Sequence, residues 1–444
     1  MRKLEIGIVI TSLILLISSA CFSQHTYYVD TTGSDSNNGT STSTPWKTCS
    51  KVNSEISALH FHTGDSILFR RGQTWAPTTF PIINMVNGSL NGSSGYPIVF
   101  GAYGNGPRPI LSQKNISAAT YGATYNNVVI LGGRGLSYLT IRDLEFQGSW
   151  RFYPAIGYPI HDLLMDSILC NGAPLRSVGY LPTHYAFNNA FMVATEATPL
   201  VGDSMEYPHV YNLEIRNCRT EYMTRSYHVY AAYENIWIHN NTSYNAYYSS
   251  CDVAQGKNIT VEYNYFYTDG SYAQDNGASI KVHAQRNRAD AIIVRGNLIV
   301  MLNGKVGTQA LNIPAANNLQ FYNNTVISSS TSANNYAIEI GWEHGNGSTS
   351  IIQCLNDGVG SVRNAVFANN IIIGGIETTE HTNWQVTYKD GTHYDLNETL
   401  DAMKGNGLWF KNNIIYPDNK TYQWTKRISS GGTTVYDTTT HKFV

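Results

Sequence analysis

Charge is scarce in this sequence: only 14% of its 444 residues are Asp, Glu, Lys or Arg, and the formal balance is -2. No stripe of Lys and Arg is present, which excludes a nucleic-acid-binding surface. Long apolar runs are missing beyond the first two dozen residues, so no later stretch is suited to spanning a bilayer. The six cysteines show neither CxxC nor Cys/His spacing, which excludes a zinc-stabilised fold. Windows with apolar residues three and four apart are largely lacking as well. That excludes a helical bundle or a helix-based repeat.

The apolar run that does exist is at the start, MRKLEIGIVITSLILLISSACFSQ. Arg2 and Lys3 form a short basic region, and residues 6–17 an apolar core of export-signal length. Cleavage after Ser23 leaves a mature chain with a formal charge of -3, because Arg2, Lys3 and Glu5 are removed. Cys21 offers a second reading, lipidation at the cell surface. The expected location is therefore secreted or periplasmic, with an anchored form as the alternative. Of the remaining cysteines, Cys218 and Cys251 sit in strand patterns and read as small buried hydrophobes.

Tyrosine is abundant, with 31 copies. Its flat ring and hydrogen-bonding tip suit contact with sugars, although tyrosines also fill exposed strand faces. The most informative feature is a degenerate repeat. NLEIRNC (212–218), NIWIHNN (235–241), NITVEYN (258–264), AIIVRGN (291–297), NLQFYNN (318–324), NAVFANN (364–370) and GLWFKNN (407–413) are alternating strands closing at or beside Asn. Their ends at 241, 264, 297 and 324 are 23, 33 and 27 residues apart, followed by gaps of 46 and 43. Constant strand chemistry with variable loops is the pattern of a solenoid. Asparagine at one corner of successive coils adopts tight-turn conformations and stacks its amides. A short helix is expected over 52–59, and loop excursions over 172–207 and 377–405, with one domain from 24 to 444.

These runs resemble those of right-handed parallel β-helices of the pectate-lyase-like superfamily. YYVDTTGSDSNNGTSTSTPWKT (27–48), HTGDSILFRRGQTW (62–75) and YPIVFGAYGNGPRPIL (96–111) are similar to the N-terminal segment of its secreted polysaccharide-active members. The fold class this implies is all-β, a right-handed parallel β-helix with an N-terminal cap over 24–110.

A second strand precedes each Asn-ended one: HVYAA, SCDVA, SIKVHA, ALNIP and AIEIG. Alternation buries Cys251 with Val253, Ile280 with Val282, and Leu311 with Ile313. Pointing outward are Asp252, then Lys281 with His283, then Asn312, then Glu339. Either His228 or Tyr230 extends the column, and parity does not decide between them. With rungs about 4.8 Å apart, the column is site-shaped, and Tyr247, Tyr248, Tyr265, Tyr267, Tyr272 and Trp342 lie near enough in sequence to wall a groove.

SIKVHA followed a coil later by ALNIPAANN is similar to the alginate lyase and chondroitinase B family. That resemblance implies β-elimination on a uronic-acid polymer with Lys281 as base; Asn312 stands where the family carries an arginine. The candidate catalytic residues are Lys281, His283 and Asp252, and the candidate substrate-binding residues are Asn312, Glu339, His228, Tyr230 and Trp342. Asp252, Asp269 and Asp275 leave a Ca2+ site open. The alternatives are a glycoside hydrolase using paired carboxylates and a non-catalytic glycan-binding protein. Asp252 and Glu339, three rungs or about 14 Å apart, are too distant for a carboxylate pair of about 5–9.5 Å. The expected partner is a polysaccharide and the expected state a monomer.

Overall fold

A computed structural model describes residues 24–79, 81–85, 90–115, 129–133, 136–148, 150–154, 159–173, 189–194, 210–230, 233–253, 256–271, 278–282, 289–304, 309–313, 316–330, 337–340, 362–374, 376–381, 385–387, 393–395, 408–416, 425–430 and 433–438. The chain winds through three long sheets in turn. One coil runs Tyr233–His239 in the first sheet, Thr242–Tyr244 in the second and Ser249–Val253 in the third, and returns to the first at Gly256–Glu262. The sheets hold fourteen, eleven and nine strands, and neighbours within each pair in parallel, apart from the terminal hairpin Thr425–Ser430 with Thr433–Thr438. The architecture is a right-handed parallel β-helix.

The corner between the first and second sheets shows why Asn recurs. Asn240, Tyr263, Gly296, Asn323, Asn369 and Asn412 all have positive φ, between 53° and 63°, a conformation that Asn and Gly adopt more readily than other residues. The residue after each turns inward, and Asn241, Asn264, Asn297, Asn324, Asn370 and Asn413 form a ladder. Asn297 Oδ1 accepts from the backbone N–H and the Nδ2 of Asn264, both at 3.0 Å. Its own Nδ2 donates to Val261 O at 2.9 Å and Asn324 Oδ1 at 3.0 Å. Cys218 heads the ladder, donating its backbone N–H to Asn241 Oδ1 at 2.8 Å.

Inward-facing residues stack rung upon rung. Ile215, Ile238, Val261, Val294, Phe321 and Phe367 are in register down the first sheet, and Tyr227, Cys251, Ile280, Leu311 and Ile338 down the third. All have relative exposures of 0%. Each of the larger apolar side chains contributes about 1.5–3 kcal/mol by leaving water. Cys218 and Cys251 are buried free thiols in this interior.

At the N-terminal end the helix Cys49–Ser57 is capped by Thr48, whose Oγ1 accepts from Lys51 N at 3.1 Å, and it buries Cys49, Val52 and Ile56. Two stretches expected as loops carry rungs of the third sheet. Asn189–Ala194 lies within 172–207, and Ile376–His381 overlaps the start of 377–405. A short antiparallel hairpin, Gln385–Thr387 with His393–Asp395, also falls within the second stretch.

Candidate functional site

The third sheet fixes the register of the polar column. His228 pairs with Asp252, Asp252 with Lys281, Lys281 with Asn312, Asn312 with Glu339, and Glu339 with Glu377. The choice between His228 and Tyr230 is settled by register: His228 shares the line with Asp252, while Tyr230 lies two residues further along its strand, opposite Ala194. For Tyr230 and Glu339 only the strand positions are described. His283 and Trp342 lie outside the described residues.

The column is less open than alternation alone implies. Asp252, expected on a solvent-facing surface, has a side chain only 2% exposed, and His228 only 5%. Arg225 lies across the carboxylate, with Nε 3.2 Å from Asp252 Oδ2. His228 Nε2 is 3.9 Å from the same oxygen. The guanidinium is backed by Tyr248, whose ring centroid is 4.5 Å from Arg225 Cζ, and Lys281 Nζ stands 5.9 Å from the same centroid. Lys281 and Asn312 are half-buried. Asp252 is therefore held as the counter-ion of a covering arginine. A buried carboxylate needs such a partner, because an unpaired one carries a desolvation penalty of several kcal/mol.

Arg225 escaped sequence reasoning for a local reason. Counting back by twos from the inward pair Tyr227 and Val229 directs Arg225 into the core. Alternation breaks at Ser226, which is also buried and whose hydroxyl bonds Thr220 and Ser243 at 2.7 and 2.8 Å inside the coil. With Ser226 and Tyr227 both inward, Arg225 falls on the outer side. Tyr227 secures the rung beneath by stacking on Phe191 at 5.3 Å and donating its hydroxyl to Cys218 O at 3.3 Å.

Of the acids considered for calcium, Asp269 is engaged locally: Oδ1 accepts from Ser271 N at 2.8 Å and Oδ2 from Asn245 Nδ2 at 3.2 Å. Burial raises its pKa, but these bonds outweigh burial and hold the carboxyl below the usual range. Asp275 lies outside the described residues. Among the described residues, no three His, Cys, Asp or Glu side chains converge where they could hold a metal ion.

A second charged network covers the first sheet. Arg216 binds Asp166 and Glu214, His239 Nε2 lies 3.0 Å from Glu214, and Arg295 joins Glu262 to the hydroxyl of Tyr322. Apart from Arg216–Glu214, which lies within one strand, these are cross-strand pairs; their carboxylates are already bonded to neighbours, so they serve the sheet rather than a paired-acid reaction. Among the described residues, no helix is long and apolar enough to cross a membrane.

No protein-family profile and no curated protein matches the chain. Solved structures do. A GH136 lacto-N-biosidase from Eubacterium ramulus aligns at 14% identity and TM-score 0.48 over 90% of this chain and 67% of that one. An alginate lyase from Paenibacillus sp. str. FPU-7 aligns at 15% identity and TM-score 0.41 over 65% and 95%. A mannuronic acid specific polysaccharide family 6 lyase from human gut microbiota aligns at 14% identity and TM-score 0.38 over 89% and 92%. The neighbours thus include both polysaccharide lyases and a glycoside hydrolase. The chain itself, with its three long parallel sheets, is a right-handed parallel β-helix.

Proposed function

We propose that the protein is an exported carbohydrate-active enzyme that cleaves a uronic-acid polymer by β-elimination, with Lys281 as the base. The observation that carries this reading is the charge arrangement on the third sheet. Asp252 is buried beneath Arg225, and Lys281 stands half-buried on the next rung against the Tyr248 ring that also supports Arg225. The permanent charge of Arg225 beside the amine of Lys281 suits an anionic sugar. A hydrolase needs carboxyl groups free to meet the glycosidic oxygen and a water, and Asp252 is not free in this sense.

In the reaction, the neutral amine of Lys281 takes the proton from C5 of the uronate. The electron pair forms the C4–C5 double bond as the C4–O bond breaks, and the leaving oxygen takes a proton. Asn312, one rung on, is placed to hydrogen-bond the sugar. Tyr248, within reach of both cations, is the candidate proton donor. On this reading the substrate is met outside the cell, and the enzyme acts as a monomer.

The test is ultraviolet absorbance of the unsaturated product across a panel of uronate polymers. Elimination gives rising absorbance; new reducing ends without absorbance overturn the proposal in favour of hydrolysis. Lys281→Ala is expected to slow elimination by roughly 10²–10⁴-fold, the range of a general base, with the circular dichroism spectrum unchanged. Full activity in that variant removes Lys281 from the mechanism.

A further inference from the structure

The outer face of the first sheet holds a large aromatic side chain in the open. Trp237 is 42% exposed. Its indole lies against His239, with ring centroids 3.9 Å apart and planes 22° from parallel. Its Nε1 donates to Glu262 Oε1 at 2.7 Å. Glu262 binds Arg295 in turn, and Arg295 Nη1 donates to the hydroxyl of Tyr322 at 3.0 Å. One relay of hydrogen bonds thus fixes two aromatic side chains three rungs apart. Because His239 covers one face of the indole, the exposure of Trp237 falls on the opposite face and the ring edge.

Tyr322 also lines a groove of about 340 Å³. The exposed amides of Asn318, Gln320, Asn364 and Asn369 line the same groove, and Val366 adds an apolar surface. None of its lining side chains is charged. Gln320 shares the register line of Trp237 through Thr260 and Ile293, which sets the two about 14 Å apart along the solenoid axis. A lone exposed tryptophan needs no explanation. A tryptophan locked in orientation and in line with an amide groove is different. It offers an apolar ring face to the C–H face of a sugar, and the amides offer donors and acceptors to sugar hydroxyls. Charge favours a neutral ligand. Glu262 is matched by Arg295, and Asp166 and Glu214 outnumber Arg216, so the groups bonded around the ring carry no positive excess to draw an anion.

We propose that this face is a second glycan-binding surface, one that takes a neutral oligosaccharide lying along the solenoid axis. One sugar ring stacks on the open face of Trp237, and another places its hydroxyl groups among the amides of the groove. The surface is separate from the polar column of the third sheet, and the proposal stands whether or not Lys281 performs elimination.

The experiment is calorimetric titration of the full chain with cellohexaose, xylohexaose and mannohexaose. These neutral probes carry no uronate carboxylate, so elimination does not consume them. At least one is expected to bind, and Trp237→Ala to weaken that binding by about tenfold, the loss typical of a central aromatic anchor. Gln320→Ala is expected to weaken it by roughly threefold, as for one lost hydrogen bond, and Lys281→Ala to leave it unchanged. Failure of all three probes to bind, or unchanged affinity in Trp237→Ala, overturns the proposal. So does loss of binding in Lys281→Ala, which would place the sugar on the third sheet. Self-association that Trp237→Ala abolishes overturns it too, because the indole would then meet a second copy of the chain. Should Trp237→Ala fail to fold, Gln320→Ala decides: weaker binding supports the surface, and unchanged binding overturns it.

Discussion

Truncating one rung of the asparagine ladder measures what sets the register of the solenoid. Asn297 is 2% exposed and makes four side-chain hydrogen bonds, two accepted from Asn264 and two donated, to Val261 and Asn324. Asn297→Ala removes all four. Asn264 Nδ2 keeps a bond to Ile238 O, and Asn324 Oδ1 still accepts from the backbone of residue 297. The backbone N–H of Asn264 loses its side-chain acceptor, and Val261 O its side-chain donor. At about 1–3 kcal/mol for each buried group left unsatisfied, the loss is roughly 4 kcal/mol, a large fraction of a typical domain stability of about 5–15 kcal/mol. Asn258→Ala is the internal control. Its side chain is exposed and makes contacts of 3.3 Å to Glu234 and Asn235, and its positive φ of 54° is matched by Ala291 at the same place one coil on, with φ 53°. That substitution is expected to lose about 1 kcal/mol. Urea unfolding followed by intrinsic fluorescence compares the two variants, and hydrogen exchange at the Asn264 amide localises the effect. Losses equal within about 1 kcal/mol refute the view that buried amides, rather than the corner conformation, hold the rungs together.

Two further outcomes are expected. Asp30 is buried, which raises its pKa, but hydrogen bonds from Arg70, Thr32 and Gln73 outweigh burial and hold it well below the usual carboxylate range. A depressed folded pKa stabilises the protein above the unfolded value of about 3.9, and that contribution is lost as pH falls towards the folded one. Thermal melts should therefore lose stability from about pH 4 downward, and Asp30→Asn should flatten that part of the profile; an identical slope in the variant contradicts the assignment. At the site, Tyr248→Phe should retain affinity for an anionic glycan while Tyr248→Ala weakens it roughly fivefold, in keeping with a cation–ring contact of about 0.5–2 kcal/mol. Calorimetric titration showing the two variants alike would mean that the ring is not the support.

The fold was legible because its signals repeat. The Asn-ended runs from 212 to 413 give strand, corner and rung in one pattern, and the ladder from Asn241 to Asn413 follows from it. The order Asp252, Lys281, Asn312, Glu339 was legible too, since inward Cys251, Ile280, Leu311 and Ile338 leave a single parity. What sequence periodicity does not encode is what lies on top of a sheet. Nothing in SCDVA says that Asp252 is sealed, because the seal is an arginine from the previous rung and a tyrosine from the approach to its own strand. Arg225 stayed hidden for a related reason: two successive inward residues, Ser226 and Tyr227, interrupt the alternation from which its direction is read. The rung at 189–194 is the edge of the third sheet, and no Asn-ended run is read before residue 212 to mark its coil.

The ladder also separates two things that most enzymes must change together. Asn324, Asn370 and Asn413 bond one another as closely as the earlier rungs do, although 46 and 43 residues intervene. Connecting loops can thus lengthen, shorten or be exchanged while each strand returns to the same seat. The floor that carries Lys281 and Asn312 is inherited by register, and the walls above it are free to diversify. A lineage built on this chassis can acquire a new surface chemistry by loop replacement alone.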